Sequence, residues 1–208
     1  MSDTNVEPAS FAFTEENLAQ AAKIIAKYPE GRQQSAVMPL LDLAQRQGDG
    51  WLPRVAMDYI ADLLGMPPIR VYEVATFYTM YNLSPVGEHF VQVCTNLPCW
   101  LRGSDQVVEA CKKVTGCSNG ETSEDGEFTV LEVECLGACV NAPMMQIGDD
   151  YYEDLDGVSA EAVLKALKAG EKPKVGSQNG RHTCEPAGGI TSLKERYPDR
   201  AAKAGGDN

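Results

Sequence analysis

Residues 90–101 read F-V-Q-V-C-T-N-L-P-C-W-L and residues 128–143 read F-T-V-L-E-V-E-C-L-G-A-C-V-N-A-P, and the two stretches share one design. Each opens on β-branched and aromatic residues and runs into a cysteine pair, Cys94 with Cys99 and Cys135 with Cys139. Strand-forming residues that stop at a cysteine put the pair at a strand end. Between the two stretches, Val107, Val108 and Cys111 make the inner face of a helix that Ser104 is placed to cap and Gly116 to stop. A polar, Gly-rich loop, 116–126, then leads into the second strand.

Beyond the cysteines, residues 144–147 and 151–155, joined by Gly148-Asp149-Asp150, predict a hairpin. Ser159 is placed to cap a last helix that Gly170 ends, with Val158 and Val163 in hydrophobic-staple positions. Strand, helix, parallel strand, hairpin and helix is the order of an α/β, thioredoxin-like core, with a right-handed crossover joining the parallel pair. Adjacent parallel strands bring both cysteine loops to one edge of the sheet, as a single four-thiolate site requires. Pro143, just before the third strand, is placed for a cis peptide.

Upstream the period is helical. Thr14 is an N-cap with Glu15 and Glu16 in the first turn, Leu18, Ala21, Ala22 and Ile25 form a stripe, and Pro29 ends it. A second helix starts near Ser35, with Val37, Leu40, Leu41 and Ala44 inward and Pro39 in its first turn. A third follows Pro53 with Val55, Ile60, Ala61 and Leu64 on one face, and a fourth follows Pro67-Pro68 with Val71, Val74, Phe77, Tyr78 and Tyr81. The expected organisation is an N-terminal segment (1–13), a small helical bundle (14–85), the thioredoxin-like domain (86–171) and an aperiodic tail (172–208), flexible or ordered only on a partner.

Composition narrows the function. The 208 residues carry 30 acidic against 18 basic side chains, a net charge of -12. That balance repels phosphate backbones and anionic lipid, so neither nucleic acid nor a lipid surface is an expected partner, and with no apolar run near the roughly 20 residues that span a bilayer, membrane insertion is not expected. The start, M-S-D-T-N-V-E-P-A-S, lacks both the apolar stretch of a secretory signal and the arginines of a transit peptide, so the chain is expected to stay in the cytosol. Seven cysteines in a reducing compartment favour metal or redox chemistry over disulfides. Four thiolates suit a tetrahedral zinc ion and a [2Fe–2S] cluster about equally. Dithiol exchange fits less well, because that chemistry uses C-x-x-C at a helix start. No G-x-G-x-x-G follows a strand and no Walker loop occurs, so the chain is not expected to bind NADH or flavin itself.

The two cysteine motifs, E-V-A-T-F-Y-T-M-Y (73–81), P-L-L-D-L-A-Q-R-Q (39–47) and G-R-H-T-C-E-P-A-G-G-I-T-S-L (180–193) together resemble the thioredoxin-like [2Fe–2S] subunits of respiratory complex I, the proton-pumping NADH:quinone oxidoreductase. The resemblance spans nearly the whole chain. It implies one [2Fe–2S] cluster on Cys94, Cys99, Cys135 and Cys139. It also implies electron exchange with FMN on an NADH-oxidising flavoprotein partner, off the main path to quinone. The chain would be one subunit of that enzyme, not catalytic alone, beside the flavoprotein and a large iron–sulfur subunit. With no targeting segment, the expected site is the cytoplasmic face of a bacterial inner membrane. An NAD-linked hydrogenase or formate dehydrogenase subunit would share these features, and a structural zinc module would share only the thiolates.

Other residues receive plainer readings. Cys111 is expected in the core, Cys117 as a free loop thiol and Cys184 as a tail thiol, with His89 and His182 structural or solvated. Trp100 and Leu101 are expected either to cover the cluster or, for Trp100, to fill core or interface, and Gly103, Gly137 and Ala138 to let amides approach the sulfurs. Phe77, Tyr78 and Tyr81 form an aromatic patch expected to dock the bundle on the flavoprotein.

Overall fold

The computed structural model describes residues 7–186 and 188–198, so the first six residues of the N-terminal segment, Ala187 and residues 199–208 of the tail lie outside the described residues. The chain divides into two compact units between Glu88 and His89.

The first unit contains α1 (Glu15–Ile25), α2 (Val37–Gln47), α3 (Arg54–Leu64) and α4 (Pro68–Phe77). Thr14 caps α1, its hydroxyl accepting from the Asn17 N–H at 3.2 Å. The buried face is Ala21 with Ile24, and Leu18 is exposed, so the helix is turned from the expected stripe. Pro39 falls in the first turn of α2, where its missing N–H removes no helical bond. Gly65 ends α3 at φ +59°, a conformation that costs a Cβ-bearing residue energy, and Pro67-Pro68 then open α4. Leu40, Leu41, Ile60 and Val71 are fully buried between these helices. Val55, expected on the inner face of α3, is half-buried, and Ala56 and Met57 take that place. Phe11 and Phe13 pack edge-on against Tyr59, which joins residues expected to lie outside the bundle to its core.

The expected aromatic patch divides. The helix ends at Phe77, which is 76% exposed, and Tyr78 is exposed beside it. Tyr81 turns inward, 5% exposed, its hydroxyl donating to the Met38 carbonyl at 2.9 Å. Burial, then the Asp42 and Tyr78 charges, push that phenol up to about 12.

The second unit contains β1 (His89–Cys94), α5 (Leu97–Leu101), α6 (Ser104–Thr115), β2 (Glu121–Thr122) and β3 (Phe128–Val133). A one-turn 3-10 helix (Cys139–Asn141), β4 (Met145–Ile147), β5 (Asp150–Glu153), α7 (Gly157–Lys168) and β6 (Gly176–Ser177) complete it. The sheet order is β2-β3-β1-β4-β5-β6. β1 runs parallel to β3 with Cys94 beside Val133, and antiparallel to β4 with Val93 beside Met145. Val91, Val93, Phe128 and Met145 from the sheet meet Val107 and Cys111 of α6 and Ala160 and Leu164 of α7 in the core. This is the mixed α/β, thioredoxin-like arrangement that the element order predicts, and Ala142-Pro143 is cis.

Several local expectations are corrected. Ser104 does not cap α6. It is the first helical residue, fully buried with its hydroxyl unpartnered among the described residues, and left-handed Gly103 precedes it. Asp156 caps α7, accepting from the Ser159 N–H at 2.7 Å, while Ser159 Oγ accepts from the Asp156 N–H at 2.9 Å. Val158 is 78% exposed, so no staple forms there. Cys117 is a free loop thiol as expected, but a buried one, donating to the Phe128 carbonyl at 3.8 Å. The tail adds β6 in parallel to β5, with Tyr152 beside Gly176. Among the described residues no helix is long and apolar enough to cross a membrane.

Asp156→Ala is expected to cost about 1 kcal/mol of stability through the lost cap. Its backbone bond from Ser159 holds the carboxyl below the usual carboxylate range. The contribution is therefore present above the ordinary carboxylate pKa and lost as pH falls below about 4. Thermal unfolding of both proteins should show the gap at pH 7 shrinking toward pH 3.

Candidate metal centre

The parallel register of β1 and β3 determines where the thiols can be. Cys94 closes β1 beside Val133, and Cys135 follows Val133 by two residues. Cys99 lies in α5, whose start is the Asn96 side chain accepting from the Leu97 N–H at 2.8 Å. That short helix is not among the expected elements, although N-L-P is a helix-start signal. Cys139 begins the 3-10 turn.

The four thiols form two pairs of different character. Cys94 and Cys99 are buried, 2% and 1% exposed. Cys135 and Cys139 are exposed, their sulfurs 3.3 Å apart. Ala142 and Met144 are buried with the inner pair, and Leu136, Ala138 and Tyr151 pack against them. Burial, then Cys94, push the Cys99 thiol up to about 12, with Cys139 adding to it. The Gly137 N–H, donating at 3.4 Å, lowers Cys135, and the Cys135 sulfur raises Cys139, with Cys94 contributing. Two of these influences cross between the pairs, Cys139 on Cys99 and Cys94 on Cys139.

Polar bonds stitch the loops together. Asn96 Nδ2 donates to Glu134 at 2.6 Å, joining the residue between Cys94 and Cys99 to the one before Cys135. The Tyr151 hydroxyl donates to the Leu136 carbonyl at 2.9 Å. Neither bond carries a local sequence signal, since the partners are distant in the chain. Of the residues expected to offer amides, Gly137 does so, at φ +82°, whereas Gly103 instead sets the turn into α6. Trp100 and Leu101 are 56% and 69% exposed, so Trp100 is not core. Cys111 is core, Cys184 is exposed, and His89 packs its ring on Phe128 at 5.2 Å.

The sequence model of the thioredoxin-like [2Fe-2S] ferredoxins matches residues 21–168. The chain belongs to that family. All four thiols fall within the matched span.

This ferredoxin is 51% identical over 193 residues to "NADH dehydrogenase [ubiquinone] flavoprotein 2, mitochondrial" of Dictyostelium discoideum, covering 93% of this chain and 78% of that one. It is 54% identical over 164 residues to a subunit of the NADH-quinone oxidoreductase of Rickettsia bellii, covering 79% and 98%. Among solved structures, the NAD+-reducing [NiFe]-hydrogenase in the H2-reduced state superposes with a TM-score of 0.56 at 19% identity, over 65% of this chain and 23% of that one. That likeness is one of fold.

Four thiols are the donor type that the family's cluster takes. Among the described residues, no group of three or more His, Cys, Asp or Glu side chains is arranged to hold a metal ion. A dinuclear cluster instead takes two thiolates on each iron, and thiols in two pairs suit that demand.

In the metal-free full-length chain, exposed Cys135 is expected to react with iodoacetamide at pH 8 at least about ten times faster than buried Cys99. Peptide mass spectrometry over a time course reads both rates.

Proposed function

We propose that this ferredoxin is the electron-transfer subunit of the NADH dehydrogenase module of respiratory complex I, holding one [2Fe–2S] cluster on Cys94, Cys99, Cys135 and Cys139. The observation that carries the reading is a buried and an exposed thiol pair at the C-terminal ends of β1 and β3, in a chain 51% and 54% identical to complex I subunits. Such a cluster supplies one-electron storage and transfer.

The protein's part is position and electrostatics. The inner pair, with Met144 and Ala142, sits in an apolar setting that disfavours added negative charge. The Gly137 N–H favours it. Glu134, whose charge raises the neighbouring Cys135 thiol, opposes it. Cys135 and Cys139, being exposed, mark the side from which an electron partner approaches.

In this reading the partner is a flavoprotein subunit that oxidises NADH at FMN, with a large iron–sulfur subunit alongside. The chain exchanges electrons with that flavin and is peripheral to the cytoplasmic face of a bacterial inner membrane through those subunits. Exposed Phe77 and Tyr78, with Met80 and Leu83 nearby in sequence, give the bundle an apolar surface suited to a protein partner.

Anaerobically purified protein is expected to contain about two iron and two acid-labile sulfide per chain and little zinc. One zinc with no sulfide would overturn the cluster. Serine at any of the four positions should lose iron, whereas Cys111→Ala and Cys184→Ser should keep it.

Phe77→Ser with Tyr78→Ser is expected to leave the free subunit folded and to reduce copurification of the flavoprotein subunit. Full assembly by that double variant would count against the docking surface. Copurification of hydrogenase or formate dehydrogenase subunits in place of complex I subunits would reassign the parent enzyme.

A further inference from the structure

A buried polar network adjoins the turn that carries Cys139. Arg181 and Asp154 form an ion pair with side chains 6% and 2% exposed. Arg181 donates through Nε to Asp154 Oδ2 at 3.1 Å, through Nη2 to Asp154 Oδ1, and through Nη1 to the Glu185 carbonyl at 3.1 Å. Asp154 Oδ2 also accepts from Asn141 Nδ2 at 3.1 Å, and the same Asn141 amide donates to the Thr183 carbonyl at 2.7 Å. The Asp154 N–H donates to the Asn141 carbonyl at 2.7 Å.

Asn141 is 3% exposed and ends the single turn that Cys139 begins. Three segments distant in sequence therefore meet at one carboxylate: the Cys139 turn, the residue after β5, and the tail. Asp154 and Thr183 hold φ of +53° and +50° without being glycine, a local cost that surrounding bonds must offset. The planar fork of Arg181 engages both carboxylate oxygens and so fixes the plane of Asp154, which aims Oδ2 at Asn141. Arg181 lies beyond the 21–168 span matched by the family's sequence model.

We propose that Arg181 is a positioning residue for the candidate metal centre: through Asp154 and Asn141 it fixes the turn that carries Cys139, and thereby how firmly the chain retains an iron–sulfur cluster. The proposal rests on the cluster assignment made above. The tail is then a strap on the site. Its loss of grip acts on one thiol of the exposed pair, while Cys94 and Cys99 stay anchored by β1 and α5.

The test uses the full-length chain with Arg181→Gln, Arg181→Lys and, as a matched destabilising control, Val163→Ala in the core of α7. Hydrogen exchange of the metal-free proteins reports the backbone of residues 136–142. Iron release to a chelator and the electron paramagnetic resonance spectrum of the reduced, iron-loaded proteins report the site.

Arg181→Gln is expected to speed exchange at 136–142, release iron about tenfold faster and alter the spectrum. Arg181→Lys should recover part of each, and Val163→Ala should change none of the three. Wild-type exchange at 136–142 in folded Arg181→Gln, or equal effects in Val163→Ala, would overturn the proposal. If Arg181→Gln does not fold, wild-type exchange and iron release in Arg181→Lys overturn it. A wild type without iron and sulfide would sink the cluster assignment separately, and the exchange data would still decide whether Arg181 positions the turn.

Discussion

The parallel ladder between β1 and β3 is the constraint on which the site depends. Cys94 is the last residue of one strand and pairs with Val133, the last of the other, so both strands leave the sheet at the same end within two residues of a thiol. Side chains alternate faces along a strand, so a slip of one residue would turn Cys94 to the opposite side of the sheet. The register is held by burial: Val91, Val93, Phe128 and Val130 are in the core, and a slip would expose them. The same apolar pattern that folds the domain thus aligns the thiols.

What surrounds the thiols is polar and drawn from across the sequence. Asn96 with Glu134, Tyr151 with Leu136, and Asn141 with Asp154 each tie a cysteine loop to something outside it. Buried ion pairs such as Arg181 with Asp154 add little net stability, because desolvation offsets the attraction, yet losing one partner costs roughly 3–5 kcal/mol. Such a pair determines geometry more than it adds free energy. The burial difference between the two thiol pairs follows from the same division: strand and helix carry the inner pair, loop and turn the outer one.

The helical unit has its own core, with Leu40, Leu41 and Ile60 fully buried, and it still leaves Phe77, Tyr78, Ile69 and Met80 in contact with water. Turning Tyr81 inward gives its hydroxyl a carbonyl partner and removes it from the surface. A tyrosine near a helix end can satisfy either environment, which is why spacing grouped three aromatics that packing separates.

The order of strands and helices, the pairing of thiols and the apolar faces of α2 and α6 were legible in the sequence, because each follows from local periodicity or from a residue's intrinsic preference. Thr14 as a cap and the stop at Gly116 belong to the same class. The face of α1, the cap of α7 and the burial of Cys117 were not legible. Each depends on a competition between neighbouring residues that only packing settles. Nor were α5, β6 and the Asn141-Asp154-Arg181 network. The bond between Asp154 and Arg181 joins residues 27 apart, and no local preference predicts a partner at that distance. The sequence by itself determined which atoms can bind metal, since thiols are a matter of residue identity. The tertiary structure decided which of them are dry, which face outward and what braces them, since burial and long-range hydrogen bonds exist only once the strands are side by side.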